Sequence, residues 1–151
     1  MGKWEGFGEE KLTTINSFKY IEELNFTSDG FNDLIHYEQR TWLIKDAIEE
    51  PSHWESGFIK PIENIKDSFK ISNAQDSGRV EVLEGKYIKE KEIHHLHFKM
   101  QVIKNDIRMV NSERVYTING NEMSFIMKMT TQKIVKHQQH LHARLIRKKS
   151  S

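Results

Sequence analysis

The chain has 151 residues, 23 basic side chains against 22 acidic ones, a net charge of +1 and no cysteine. That length makes a single domain, residues 1–151, able to bury about 70% of the surface its unfolded form would expose, and the missing thiol excludes disulfides, thiolate metal sites and cysteine nucleophiles. With charges nearly cancelled and only the tail from Arg147 to Lys149 basic, the concentrated basic face that phosphate backbones demand is absent, so nucleic acid is not an expected partner.

No apolar run approaches the ~18 to 20 residues of a membrane span, and the polar start MGKWEG lacks a secretory apolar region. A soluble, cytoplasmic protein with no membrane partner is expected. Gly2 fails the myristoylation pattern because Gly6 stands where Ser or Thr is needed. Asn25-Phe26-Thr27 fits a glycosylation acceptor, but only a secreted chain would meet the enzyme.

Almost every segment alternates with period two, and proline occurs only at Pro51 and Pro61, which predicts long strands between turns. GKWEGFG sets Gly2, Trp4, Gly6 and Gly8 two apart, a strand face of glycine around one tryptophan; either a ligand approaches there, or the strand curves tightly and Trp4 plugs the barrel bottom. SFKYIEELNF places Phe18, Tyr20, Leu24 and Phe26 on one face, and a turn at Ser28-Asp29-Gly30 returns the chain as DLIHYEQRTW. The polar KDAIEEPS reads as a connection to HWESGFIKP, where His53, Glu55 and Gly57 alternate against Trp54, Ser56 and Phe58 and either face can point inward. SFKISNAQDSG and RVEVLEGKYIKE form a pair about Gln75-Asp76-Ser77-Gly78, with a bulge expected at Gly85.

EIHHLHFKMQVI assigns His94, Leu96, Phe98, Met100 and Val102 to the core face, and Ile93, His95, His97 and Lys99 to the other. The three histidines suggest a metal cluster, yet strand spacing unites only His95 and His97, so a solvated face competes with a metal site. SERVYTING-NEMSFIMKMT is a hairpin about Asn119-Gly120. Its second strand aligns Met123, Phe125, Met127 and Met129, a row that serves as ordinary core or as the wall of a cavity for an apolar guest. The polar KIVKHQQ leads into the last strand, where Leu141, Ala143 and Leu145 alternate. If these line the core, His140 sits just before the strand or at a bulge. A lone His is often a surface or structural residue, but an imidazole at a sheet mouth can also hold iron. The sum is an all-β chain of about ten antiparallel strands, expected to close into a barrel because closure removes exposed edges, and wide enough for one small ligand.

With these blocks laid out, the chain resembles the nitrobindin family, haem-binding lipocalin-like barrels that also form the C-terminal domain of certain THAP proteins and were earlier described as fatty-acid-binding-protein-like. The resemblance rests on Gly2-x-Trp4-x-Gly6-x-Gly8, SFKYIEELNF, HYEQRTW, HWESGFIKP, QDSGRVEVLEG and the closing QHLHARLIRK. It implies a ten-stranded barrel binding haem b, with His140 as the proximal iron ligand and Thr14 in contact with the cofactor. His53 matches a histidine on the opposite side of the pocket in some members, a candidate catalytic group beside His140. The activity implied is handling of nitrogen oxides: binding NO, and isomerising peroxynitrite to nitrate at ferric haem. A carrier of a fatty acid or similar apolar ligand, a non-catalytic haem sensor, and a homodimer, which occurs among members, are further implications. This chain departs from the pattern at Glu10, Leu12 and Thr13, at Trp54, and in the loop before His140, where His137 is a rival ligand.

Overall fold

A computed structural model describes residues 1–10, 18–133 and 135–149. Ten strands follow one another: β1 (Gly2–Glu10), β2 (Phe18–Thr27), β3 (Ile35–Lys45), β4 (Ile48–Pro61), β5 (Ser68–Gln75), β6 (Val80–Glu90), β7 (Ile93–Lys104), β8 (Met109–Asn119), β9 (Glu122–Thr131) and β10 (Gln138–Arg147). Each pairs antiparallel with its sequence neighbour, and β1 pairs with β10 to close the barrel. Closure leaves no strand edge to template further pairing.

Period-two alternation decides which side chains enter. Trp4, Leu24, Tyr37, Ile71, Leu83, Phe98, Tyr116 and Phe125 are buried in one core, each contributing roughly 1.5–3 kcal/mol relative to exposure. Met123, Phe125 and Met127 are buried along β9, as their spacing predicts, and Met129 packs against the same core. Trp4 is only 1% exposed, and Arg147 lies over its ring with 4.6 Å to the centroid, so the tryptophan is packed inside the lower end of the barrel. Gly8 has a steric reason: a Cβ there would lie 2.1 Å from Tyr20 Cζ, so the missing side chain gives the Tyr20 ring its place inside.

Three sequence expectations are corrected. The polar stretch before His53 is strand: β3 turns sharply at Asp46 (φ 49°) and Ala47 (φ 63°) into β4, which starts at Ile48. It is polar because residues 48–52 are exposed. Gly85 is not a bulge; the register slips instead between Val82 and Leu83, which face Val102 and Met100, so the extra residue is Gln101 on β7. That slip turns Val102 outward, 47% exposed, and packs Ile103 on the core in its place. Gly85 is required because a Cβ would meet the His97 carbonyl oxygen at 2.2 Å and Phe98 Cδ1 at 2.7 Å.

Candidate functional site

The β9–β10 register breaks between Gln139 and Leu141, which pair with the consecutive residues Lys128 and Met127, leaving His140 as the unpaired extra residue. A bulge lets two successive side chains lean to one side of the sheet. His140 and Leu141 accordingly both line a recess at the upper end, while Ala143 and Leu145 continue into the core. Without the bulge, strand parity would turn His140 out with His142.

The recess has a volume of about 180 Å³. Leu43, Phe125, Met127, Met129 and Leu141 form its apolar wall, and Thr41, Ser52 and His53 line it from β3 and β4. β4 lies four strands from β10 around the ring of ten, so His53 and His140 face the space from nearly opposite walls. Residues 11–17, and with them the expected contact Thr14 and the departures Leu12 and Thr13, lie outside the described residues.

Beneath the recess lies a network of buried charge. Arg114, 1% exposed, donates to both oxygens of Glu55 and, at 2.7 Å, to Glu81 Oε2. Tyr37 donates to Glu55 Oε1 at 2.7 Å, and Asn73 Nδ2 donates to the Tyr37 hydroxyl at 2.9 Å. Gln75 and Ser112 donate to Glu81 at 3.2 Å each. Burial alone would push the Glu55 carboxyl up, but the Arg114 guanidinium and His53 beside it hold it well below the usual carboxylate range. Glu55 is therefore an acceptor only, and the His53 Nε2 atom 3.1 Å from its Oε2 carries the hydrogen. The other His53 nitrogen, Nδ1, stands 3.7 Å from Asp76 Oδ1. Glu22 behaves oppositely. Burial pushes its carboxyl up to about 8, outweighing the hydrogen bonds from Tyr20 and from Gln39 Nε2, the latter at 2.6 Å.

Glu22, Glu81 and Arg114 escape a reading that looks for exposed chemistry. Their signal is parity: Glu22 lies between Tyr20 and Leu24, and Arg114 between Ser112 and Tyr116, on inward rows that no solvated residue can occupy.

The other histidines are placed elsewhere. His137 bonds Thr130 through Nδ1 at 2.9 Å and lies 3.5 Å from Glu113, whose opposite oxygen meets His97 at 3.0 Å. These groups project from the outward parity of β7 and β8, so His137 is not a rival for the recess. His95 bonds Thr117 and His94 bonds Tyr87. Among the described residues no group of three or more His, Asp or Glu side chains is arranged to hold a metal ion.

Comparison with known proteins supplies the remaining findings. A family model described as a THAP4-like, heme-binding beta-barrel domain matches residues 1–147. A relative from Arabidopsis thaliana named peroxynitrite isomerase Rv2717c is 30% identical over 131 residues, spanning 87% of this chain and 75% of its own length. Peroxynitrite isomerase 2 of Mycobacterium marinum is 28% identical over 155 residues, 98% of this chain and 90% of that one. Among solved structures, Rv2717c from M. tuberculosis superimposes with a TM-score of 0.85 at 26% identity, covering 99% of this chain and 92% of that one.

Proposed function

The chain belongs to the family of THAP4-like heme-binding β-barrel domains, and from that premise we propose that it holds haem b in the upper recess, with His140 as the axial ligand to iron, and isomerises peroxynitrite to nitrate. The observation that carries this is the bulge at His140, which brings an imidazole into the recess beside the apolar side chains of Phe125, Met127, Met129 and Leu141.

The residues present suit such a group in kind. An imidazole nitrogen is a preferred axial donor to haem iron, and the wall of Leu43, Phe125, Met127, Met129 and Leu141 offers the apolar surface a porphyrin face needs. Gln39 Oε1 and Arg114 Nε belong to residues lining the recess and are buried without a hydrogen-bond partner among the described residues; such atoms mark room for a ligand or ordered water. At about 180 Å³ the recess is smaller than the ~300–1,000 Å³ of most small-molecule pockets, so the described walls take part of the group and the open rim the remainder.

Bound there, ferric haem supplies a Lewis acid toward a peroxo anion, a role that needs no reductase because peroxynitrite and nitrate have the same atoms and electrons. The chain's own contribution is placement. His53 is locked by its bond to Glu55, and Glu55 is locked by Arg114 and Tyr37, so the imidazole edge carrying Nδ1 stands at a fixed position in the recess, where its lone pair accepts a hydrogen bond from the O–H of a substrate in its acid form. The apolar wall excludes water that would compete for the substrate.

The test is reconstitution with hemin followed by stopped-flow measurement of peroxynitrite decay and the nitrate yield. The loaded wild type is expected to accelerate decay and raise the yield. His53→Ala is expected to slow it by about 2- to 10-fold, the worth of one ordinary hydrogen bond, with the haem spectrum retained. Hemin uptake with no acceleration would leave a haem-binding domain and remove the isomerase activity.

A further inference from the structure

The lower end of the barrel carries a second cavity that the haem recess does not use. Its volume is about 280 Å³, and Phe26, Ile59, Phe69, Leu96 and Ile118 surround it above a floor of Trp4, Phe98 and Tyr116. It shares no lining residue with the upper recess. Between them lie the Glu55–Arg114–Glu81 network, the buried side chains of Leu24, Ile71 and Leu83, and the stacked rings of Tyr116 and Phe125, 5.0 Å apart. Met123 lines the lower cavity while Met127 and Met129 line the upper one, so the methionine row of β9 serves two spaces.

One charged side chain lines this apolar pit: Arg147, the last residue of β10. Its guanidinium is planted by stacking on Trp4. The neighbouring lysines are neutralised, since Lys3 lies 2.8 Å from Glu5 and 2.9 Å from Glu23, and Lys148 lies 2.9 Å from Glu5. Among the described residues no carboxylate stands within 4.0 Å of Arg147. An apolar pit with an uncompensated, positioned guanidinium at its edge complements a molecule of matching polarity.

We propose that the lower cavity is a second binding site, for a small amphipathic carboxylate whose apolar body fills the pit and whose head group lies on Arg147. At roughly 30 Å³ for each unit the size of a water molecule, 280 Å³ holds about nine units, the size of a medium-length acyl chain or a two-ring aromatic. The closed wall of strands around the pit favours such a guest over a protein surface, which cannot follow so concave a shape. This site stands independently of whether haem binds at His140.

The test uses decanoate and decanol, followed by amide chemical shifts and by titration calorimetry, on the full chain with and without saturating hemin. The expected result is saturable decanoate binding with shifts confined to the lower strand ends, unaltered by hemin or by His140→Ala. Arg147→Gln should weaken decanoate by on the order of tenfold and leave decanol unchanged; Ile118→Trp, which fills the pit, should abolish both. Absence of lower-end shifts at millimolar decanoate, shifts confined to the upper recess, or displacement of decanoate by hemin would each overturn the proposal. A ligand-free dimer that protects the lower-end amides would overturn it too, because a second copy would then be the occupant.

Discussion

Replacing Arg114 by methionine removes the one cation among the described residues that contacts both Glu55 and Glu81. In the native chain Arg114 gives two bonds to Glu55 and one to Glu81, and all three residues are no more than 3% exposed. Methionine preserves much of the volume but leaves Glu55 charged in the barrel interior. Breaking a buried pair from one side costs about 3–5 kcal/mol, a large part of a total stability of about 5–15 kcal/mol. The pH dependence carries the discriminating sign. In the wild type the Glu55 carboxyl sits below its ordinary value of 4.5, so its stabilisation is complete above that pH and drains away as pH falls further. In Arg114→Met burial dominates and the carboxyl rises above 4.5, so the penalty is greatest near neutral pH and shrinks on mild acidification. Urea denaturation at about pH 7.5 and about pH 5 should therefore show a large stability gap that narrows at the lower pH, and Glu55→Gln added to Arg114→Met should restore part of the loss. A gap below about 1 kcal/mol, or one equal at both pH values, would refute the buried-charge reasoning.

Glu22→Gln should stabilise the protein. The native carboxyl titrates at about 8, so the folded state holds a proton that the unfolded state releases near 4.5, and stability declines as pH rises between those values; the variant's gain should be negligible at about pH 4.5 and reach on the order of 1–3 kcal/mol by about pH 8, read from urea midpoints. Ala47→Gly should raise the melting temperature by about 2–4 °C, since Ala47 adopts φ 63° in the β3–β4 turn, where a Cβ costs about 1 kcal/mol that glycine escapes. Gly8→Ala should displace the Tyr20 ring, whose Cζ would lie 2.1 Å from the new methyl group; because Tyr20 lines the upper recess, hemin affinity should fall along with stability.

Alternation made the strands, their order and most of the core legible, because a half-buried strand must repeat every second residue. The place of His140 was legible in part, since the parity of Leu141, Ala143 and Leu145 left that residue two ways inward, just before the strand or at a bulge, and the β9–β10 register takes the second. The displaced bulge on β7 was not: Gly85 is a stronger local signal than Gln101, and the slip is set by how β6 and β7 meet across the barrel, which no short window contains. The tight turn at Asp46-Ala47 was hidden because alanine gives no hint of a positive φ. The buried network was missed for a different reason. A glutamate among aromatic neighbours reads as a solvated residue until closure supplies its partner, and Arg114 is 59 residues from Glu55 along the chain.

The most direct test of His140 as iron ligand is a hemin titration followed by the Soret band and the low-temperature spin-state spectrum, comparing wild type, His140→Ala and His137→Ala. Wild type and His137→Ala should give the same saturable, histidine-ligated spectrum, while His140→Ala loses that signature and binds at least tenfold more weakly. An unchanged ligand spectrum in His140→Ala, or its loss in His137→Ala instead, would contradict the assignment.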